Sequence, residues 1–410
     1  MRTLDSLIRD YGKPDALIDH WDDTSNQYAI WGFESVFFMD NAGCFLDGKQ
    51  LKGDPLSEWQ VVLDQWKSQS IHLAAVGFLS YDLKQYLYPH LSFKKSKTDL
   101  PLIWFGKPKR IEAFNIETSI ELTHKLDITL IRDIPGIERY EIDLNKIRSY
   151  LSSGDIYQIN YTHPKYYQLR SDTFETYRQL RNISKPKCGM YINMGSHQIL
   201  SASPERFFRT TETTIETFPI KGTRKRSDDL VVDQVLANEL FHSEKDRAEH
   251  LMIVDLLRND LGKVCQFGSI KTSNLYQIES YETIHHMVTR VHGQLEQNIG
   301  ESDIIRALFP GGSITGAPKE RAMEIIDEVE DYSRGFYTGA IGMIEADGCM
   351  DMNIAIRTLC VKDQQAIYPV GGGIVWDSDP QEEWQEAHQK GAIIQKLIKK
   401  QLKSKESEIV

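Results

Sequence analysis

Strand-like and helix-like segments mix along this chain without a regular strand–helix–strand beat, which predicts an α+β fold with large sheets. Two observations carry that reading. Several runs alternate apolar and polar residues with a period of two, as in Arg206 to Arg209 and Thr214 to Phe218. Elsewhere the spacing is helical, as in Tyr140 to Ser152, whose apolar residues fall at Ile142, Leu144, Ile147 and Leu151.

Taken in order, residues 1 to about 130 hold strand-like runs at Gln27 to Phe33, Val36 to Met39, His72 to Tyr81, Leu102 to Phe105 and Glu121 to Ile131, with one helix-like stretch, Ser57 to Lys67. The segment Arg132 to Gly136 ends in a proline-glycine pair and is the candidate boundary. It divides the chain into residues 1–135, residues 136–402 and a polar tail, 403–410. Beyond it come the Tyr140 to Ser152 helix, a strand from Ile156 to Leu169, a helix at Thr173 to Ile183, and strands at Gly189 to Asn193 and Gln198 to Ser201. Two helices fill Leu230 to Asn259, followed by strands near Val264 to Thr272 and Ile284 to Leu295. A helix at Ser302 to Phe309 leads through a glycine-rich loop to a helix opening at Pro318. Three strands (Phe336 to Glu345, Met350 to Val361, Ile367 to Val375) and a helix from Gln381 to Leu402 complete the chain.

The composition, 40% hydrophobic and 26% charged over 410 residues, is that of a soluble globular protein with room for a sizeable core. A net charge of −11 argues against a general nucleic-acid binder, which needs a basic face, but leaves space for a local basic pocket. No apolar run approaches the roughly 18 residues of a membrane span, and the N-terminus lacks a signal-peptide core. Five cysteines (Cys44, Cys188, Cys265, Cys349, Cys360) without CxxC spacing point to reduced thiols in a cytoplasm.

Lys221 stands out. Proline at 219 fixes the backbone before it and Gly222 lets the chain turn after it, so an amine is held at a strand end. A solvated surface lysine is the plain alternative. Asp246 and Glu249 on one predicted helix, and Glu383 and Glu386 on another, are spaced by three and share a helix face. Four converging carboxylates would suit Mg²⁺, whereas the same spacing also describes a solvated helix surface. Lys390, four residues after Glu386, is equally placed to be its surface ion-pair partner. In the stretch Gly311 to Glu330, Thr315 or Ser313 could cap a helix and the glycines expose N–H groups to an anion. A phosphate loop is excluded, because Ala317-Pro318 stand where Lys-Ser/Thr is required. Gly371-Gly372-Gly373 after a strand indicate close approach to the main chain, or a bulge. His286, Tyr337 and Arg357 sit in strand-like runs as site groups or as ordinary sheet residues, and an arginine would grip a substrate carboxylate with two N–H groups.

Together these stretches resemble the chorismate-utilising enzymes. The matching strings are SGDIYQINYT, SPERF, PIKGTRKR, DRAEHLMIVDLLRNDLGKV, HHMVTRVHG, FPGGSITGAPKERAMEII, IRT, GGGIV and DPQEEWQEAHQKG. They run in family order over roughly Ile137 to Leu397, and the N-terminal part matches more loosely, through GFLSYDL. The resemblance implies the family's fold: α+β, large mixed or antiparallel sheets packed on each other with helices outside. Lysine in PIKGT is typical of the aminodeoxychorismate synthase branch, whereas anthranilate synthases usually carry alanine there; Lys221 therefore places the likeness nearest the former.

What the resemblance implies for chemistry follows residue by residue. Lys221 would attack C2 of chorismate as the C4 hydroxyl departs, ammonia would add at C4, and Glu205 would give acid/base help. Mg²⁺ would be held by Glu249 and Glu386, with Asp246 and Glu383 in support through water or from behind the ligands. Arg357, Tyr337, Thr315 and the Gly371, Gly372 and Gly373 amides would lie near the substrate carboxylates, with Gly222, Thr223, Gln158, His286 and Lys390 as neighbours. Arg224, Lys225 and Arg226 would help lower the Lys221 pKa if they point inward. Gln158 stands where salicylate-forming relatives have a water-activating lysine, which disfavours that outcome. No G-x-C-x-G elbow surrounds any cysteine, so ammonia is expected from a separate glutamine amidotransferase subunit or from solution. The activity expected is amination of chorismate to 4-amino-4-deoxychorismate in the 4-aminobenzoate (folate) branch; anthranilate formation and non-catalytic ligand sensing are the alternatives.

Overall fold

A computed structural model of the chain describes residues 2–19, 27–115, 126–281 and 284–398. Among these residues every strand pairing is antiparallel except the short Arg2–Thr3 strand, which runs parallel to the end of Ile103–Asn115. The pairings form one hydrogen-bonded network with two arms that start from the long Gln27–Asp40 strand.

The first arm passes through Ile103–Asn115, Leu73–Leu79, Ala340–Glu345, Met350–Ile354, Arg206–Thr210 and Thr214–Thr217 to Ile284–Gln294. That last strand also pairs with Ile220–Lys225, which carries Lys221, and with Lys271–Ser280. The second arm passes through Ala16–Ile18, Cys188–Asn193, Gln198–Ser203, Thr358–Lys362 and Gln365–Ile374 to Gln158–Leu169. Its last two strands carry Gly371 to Gly373 and Gln158. Strands before the 132–136 segment pair with strands after it in both arms.

Apolar alternation puts the two arms face to face. Ile18, Ile30, Val76, Phe78, Trp104, Met190, Ile192, Ile199 and Ile341 form one buried cluster contributed by both. Each such side chain contributes about 1.5–3 kcal/mol by leaving water. Helices cover the outer faces. Pro55–Gln69 lays Leu56, Trp59, Leu63 and Trp66 on the first arm, together with Val254 from the Glu244–Leu261 helix. On the second arm, Thr173–Ser184 contributes Phe174, Tyr177 and Leu180, and Pro380–Lys390 contributes Ala387. Tyr140, Leu144 and Ile147, spaced by four and three along Ile137–Ser152, meet Ile325 and Ile326 over Ile159 and Tyr161. The expected packed sheets with outer helices are what the chain forms.

Several expected elements differ, each for a local reason. The expected single strand Met350 to Val361 is two, Met350–Ile354 and Thr358–Lys362, broken where Arg357 adopts a positive φ of 50°. The strand expected from Phe336 begins at Ala340, because Tyr337 lies in a turn closed by its N–H to Arg334 O (3.0 Å). Near Val264 only an isolated bridge, Cys265 to Leu295, forms; the strand is Lys271–Ser280. The final helix stops at Lys390, turns at Gly391 and resumes over 392–398. Residues 399–402, the tail 403–410 and residues 121–125 of the expected Glu121 to Ile131 strand lie outside the described residues, and the strand that forms there is Ile128–Arg132. No helix among the described residues is long and apolar enough to cross a membrane. All five cysteines are free thiols.

Candidate active site

The ends of the two arms meet, and the predicted residues collect there. Lys221 lies within Ile220–Lys225, opposite Met287, where a bulge separates it from Thr223. Gly222 makes that bulge with φ of 75°, and a Cβ there would stand 2.8 Å from Leu240 and 3.1 Å from Asp246. Both the conformation and the space require glycine. The lysine is thereby turned toward the other arm: a Cβ on Gly373 would lie 3.0 Å from Lys221 Nζ and 2.9 Å from Gln158 Nε2. Gly372 meets the C-terminal helix in the same way, 3.3 Å from Glu383, 3.5 Å from Lys390 and 3.7 Å from Glu386. The three glycines are thus a close-approach surface in regular ladder register with Asn160, Tyr161 and Thr162, without a bulge.

Burial lowers the Lys221 pKa, and the like charge of Lys390 adds to it; Glu249, Glu205 and Glu386 pull the other way. Among the described residues Lys221 Nζ has neither a hydrogen bond nor an ion pair. Arg224, Lys225 and Arg226 do not assist, contrary to expectation. Arg224 is bound to Asp246 (2.9 Å), Arg226 to Asp233 (2.7 Å), and Lys225 is exposed.

Glu205 is buried, and burial pushes its carboxyl up to about 7 against the pull of Ser313, Lys221, Lys390 and Arg357. Ser313 Oγ donates to Glu205 Oε1 at 2.9 Å. Sequence reasoning offered Ser313 only as a helix-cap candidate, alternative to Thr315, and missed this contact. Pro318 occupies the cap position of Lys319–Val329 without a side-chain bond, and Thr315 Oγ1 donates back to Gly311 O at 2.9 Å. A hydrogen bond between residues 108 positions apart leaves no periodic signal in the chain.

His286 Nδ1 shares a hydrogen bond of 3.0 Å with Thr223 Oγ1, and its Nε2 is buried with no partner among the described residues. Burial, helped by Arg357, pushes the imidazole down to about 4, so it is neutral. Gln158 is fully buried, and neither of its amide atoms has a partner among the described residues. Arg357 has no carboxylate partner among the described residues, though Glu205 and His286 both feel its charge. Tyr337 is buried, and that burial raises its phenol pKa. Lys390 does pair with Glu386 (2.6 Å) as its spacing allowed, but it also donates to Gly371 O at 2.9 Å, which ties it to the cleft.

The acidic helices approach from opposite arms. Ser243 caps Glu244–Leu261 by accepting from Asp246 N, and Asp379 with Pro380 opens Pro380–Lys390. Burial raises the Glu249 pKa, Lys221 and Lys245 oppose it, and Asp246 and Glu386 add to it. Burial also raises Glu383, whose Oε1 accepts from Ser378 Oγ at 2.7 Å. At Glu386 burial is outweighed by Lys390, Lys221 and Lys245, so its pKa falls. No cluster of three or more metal-type side chains forms among the described residues. The donor set nevertheless fits Mg²⁺: the charge of Glu386 adds to the raised proton affinity of Glu249, Glu249 has no hydrogen-bond partner among the described residues, and the ion commonly needs only one or two carboxylates beside substrate oxygens. Asp246, being paired with Arg224, is suited to support rather than to direct ligation.

Such a cleft brings together an amine whose pKa burial lowers, a buried carboxyl pushed up to about 7, a guanidinium with no carboxylate partner among the described residues and acidic helices from both arms, groups suited to acid/base and nucleophilic chemistry. Comparison with known proteins points the same way. Residues 16–396 match a family described as chorismate binding enzyme. The chain is 33% identical over 388 residues to aminodeoxychorismate synthase component 1 of Bacillus subtilis (strain 168), covering 85% of this chain and 83% of the relative. It is 42% identical over 263 residues to the protein of the same name from Escherichia coli (strain K12), covering 64% of this chain and 58% of the relative. Among solved structures, anthranilate synthase component I from Streptococcus pneumoniae TIGR4 superposes with a TM-score of 0.79 at 26% identity, over 90% of this chain and 92% of that one.

Proposed function

The chain belongs to the chorismate-binding enzyme family, and from that membership we propose that it aminates chorismate with ammonia to 4-amino-4-deoxychorismate through a covalent adduct on Lys221. The observation that carries this reading is the Lys221 amine itself, which burial holds toward its neutral, nucleophilic form opposite Gly373.

Chorismate carries two carboxylates and a hydroxyl at C4 beside a diene. Arg357 grips one carboxylate, with the Gly371 to Gly373 strand, Thr315 and Tyr337 shaping the rest of the pocket. Lys221 Nζ bonds to C2, the two double bonds shift, and the C4–O bond breaks. Glu205, protonated near neutrality, gives its proton to the departing oxygen, which leaves as water. Ammonia then bonds to C4, the double bonds return, and the C2–N pair goes back to Lys221. The balance is chorismate plus ammonia giving the amino product plus water. Neutral His286 and the Gln158 amide supply hydrogen bonds for the ring substituents and the incoming nitrogen. Mg²⁺ held by Glu249 and Glu386, with Asp246 and Glu383 behind them, would grip the ring carboxylate and draw electron density toward it.

Ammonia comes from a separate glutamine amidotransferase subunit, a reading supported by the lack of a G-x-C-x-G elbow in this sequence and by the name component 1 borne by the relatives. The setting is the cytoplasm, in 4-aminobenzoate supply. The deciding experiment incubates the protein with chorismate, Mg²⁺ and either NH₄⁺ or glutamine and separates the products. Formation of 4-amino-4-deoxychorismate from NH₄⁺ is expected; release of anthranilate and pyruvate would overturn the assignment.

A further inference from the structure

Arg334 lies outside the cleft, fully enclosed, and every N–H of its guanidinium is used. Nε donates to Glu330 Oε2 (2.8 Å), Nη1 to Ile314 O (3.0 Å) and Thr338 Oγ1 (3.2 Å), and Nη2 to Asn160 O (2.7 Å) and Glu330 Oε1 (2.7 Å). Glu330 Oε1 in turn accepts from Thr162 N at 2.9 Å and Thr162 Oγ1 at 2.8 Å. The ring of Tyr81 stacks under the guanidinium at 4.8 Å, and the neighbouring Gly335 O accepts from Tyr81 N (2.8 Å) and Ser80 Oγ (2.7 Å).

The places these bonds reach are not scattered. Ile314 stands between Ser313, which aims Glu205, and Thr315. Asn160 is two residues from Gln158 and opposite Gly373 in the ladder. Thr338 follows Tyr337. A buried ion pair needs its lone pairs and protons satisfied to be tolerable, and any set of carbonyls would do that. Here the acceptors chosen, two carbonyls and the Thr338 hydroxyl, belong to three separate cleft-lining segments, and only a planar fork with five donors reaches all of them at once.

We infer that Arg334 is a positioning residue for the reaction proposed above, holding the Ser313 loop so that it aims Glu205 and the Gln158 strand so that it faces Lys221. The inference rests on Glu205 being the acid. A lysine at 334 would keep the charge beside Glu330 but could not span Ile314 and Asn160 together.

The test is a double-mutant cycle with Arg334→Lys, Ser313→Ala and the pair, followed as chorismate disappearance against pH, with thermal melts in parallel. Ser313 donates to the carboxylate form of Glu205, so losing it raises the Glu205 pKa and moves the alkaline limb of kcat upward. Arg334→Lys is expected to move the same limb upward and to lower kcat by about tenfold to a hundredfold, with KM for chorismate changed by less than about threefold. The double variant should move the limb no further than Ser313→Ala alone. A lowered melting temperature with an unmoved limb, or two shifts that simply add, would overturn the inference. Thr338→Ala, which takes one acceptor from the same Nη1, should shift the limb in the same direction and carries the test if Arg334→Lys does not fold. Product identity with the native protein is read separately, so an anthranilate product would sink the amination reading and leave the cycle interpretable.

Discussion

Gly373 and Lys221 face one another so closely that a single methyl group on the glycine would stand 3.0 Å from the lysine nitrogen. The φ of Gly373 lies outside the left-handed region, so alanine there adds bulk without backbone strain. Gly373→Ala is expected to fold with near-native stability and to lose most chorismate turnover. Gly371→Ala should behave in the opposite way, because its Cβ would collide with Tyr161 O at 2.1 Å. Overpacking of that kind costs about 1–3 kcal/mol, and urea denaturation of the two variants separates the cases.

Lys221→Ala should end amination while leaving chorismate affinity measurable by calorimetry. Unchanged formation of the amino product would remove the covalent step from the mechanism.

The rate should depend on pH through Glu205. Its folded pKa is about 7, raised chiefly by burial, and the acid form is the working one, so kcat falls as pH rises through that value. Glu205→Gln should lower kcat by about 10²–10⁴-fold and abolish that limb. For folding the sign is the familiar one for a buried acid: a raised carboxyl pKa means the unfolded chain ionises first. Above the unfolded carboxylate range, stability therefore declines with pH until Glu205 ionises in the fold, near 7.

Chelating Mg²⁺ should stop turnover, and adding it back should restore it. Glu249→Gln is expected to raise the Mg²⁺ concentration needed for half-maximal rate, since it neutralises one of the two facing carboxylates. A metal requirement identical to that of the native protein would exclude Glu249 as a ligand.

Asp260 and Lys319 form a buried ion pair of 2.6 Å, and Lys319 also donates to Leu308 O at 2.9 Å. Asp260→Ala strands the lysine and should destabilise the fold by about 3–5 kcal/mol, read from denaturant midpoints. Because the pair anchors the start of the Lys319–Val329 helix, this loss should appear in stability before it appears in substrate affinity.

Legibility from sequence followed locality. The helices at Ser57 to Lys67 and Tyr140 to Ser152 were readable because their apolar residues recur within a few positions of one another. The break at Arg357 was not, since a positive φ in a β-rich run leaves no compositional mark when the residue is not glycine. The same holds for the site. Lys221 between proline and glycine, and the Gly371 to Gly373 run, announce themselves locally, whereas Ser313 on Glu205 and Arg334 on Ile314 and Asn160 join residues far apart in the chain. Burial direction also decided what spacing left open: Lys390 reaches Gly371 O as well as Glu386.

The two-armed sheet has a further consequence. Lys221 and Gly373 sit near opposite tips of one continuous ladder, so counted along hydrogen bonds they are almost as remote as two residues in this protein can be. Their separation in space is set by every register in between and by the apolar seam that presses the arms together. The jaws close only when the last strand has found its place, and chain segments that must meet across such distances assemble slowly. Catalytic competence should therefore return late in refolding, after most secondary structure, and a cavity cut at Val76 or Ile341 in the seam should be felt at the nucleophile.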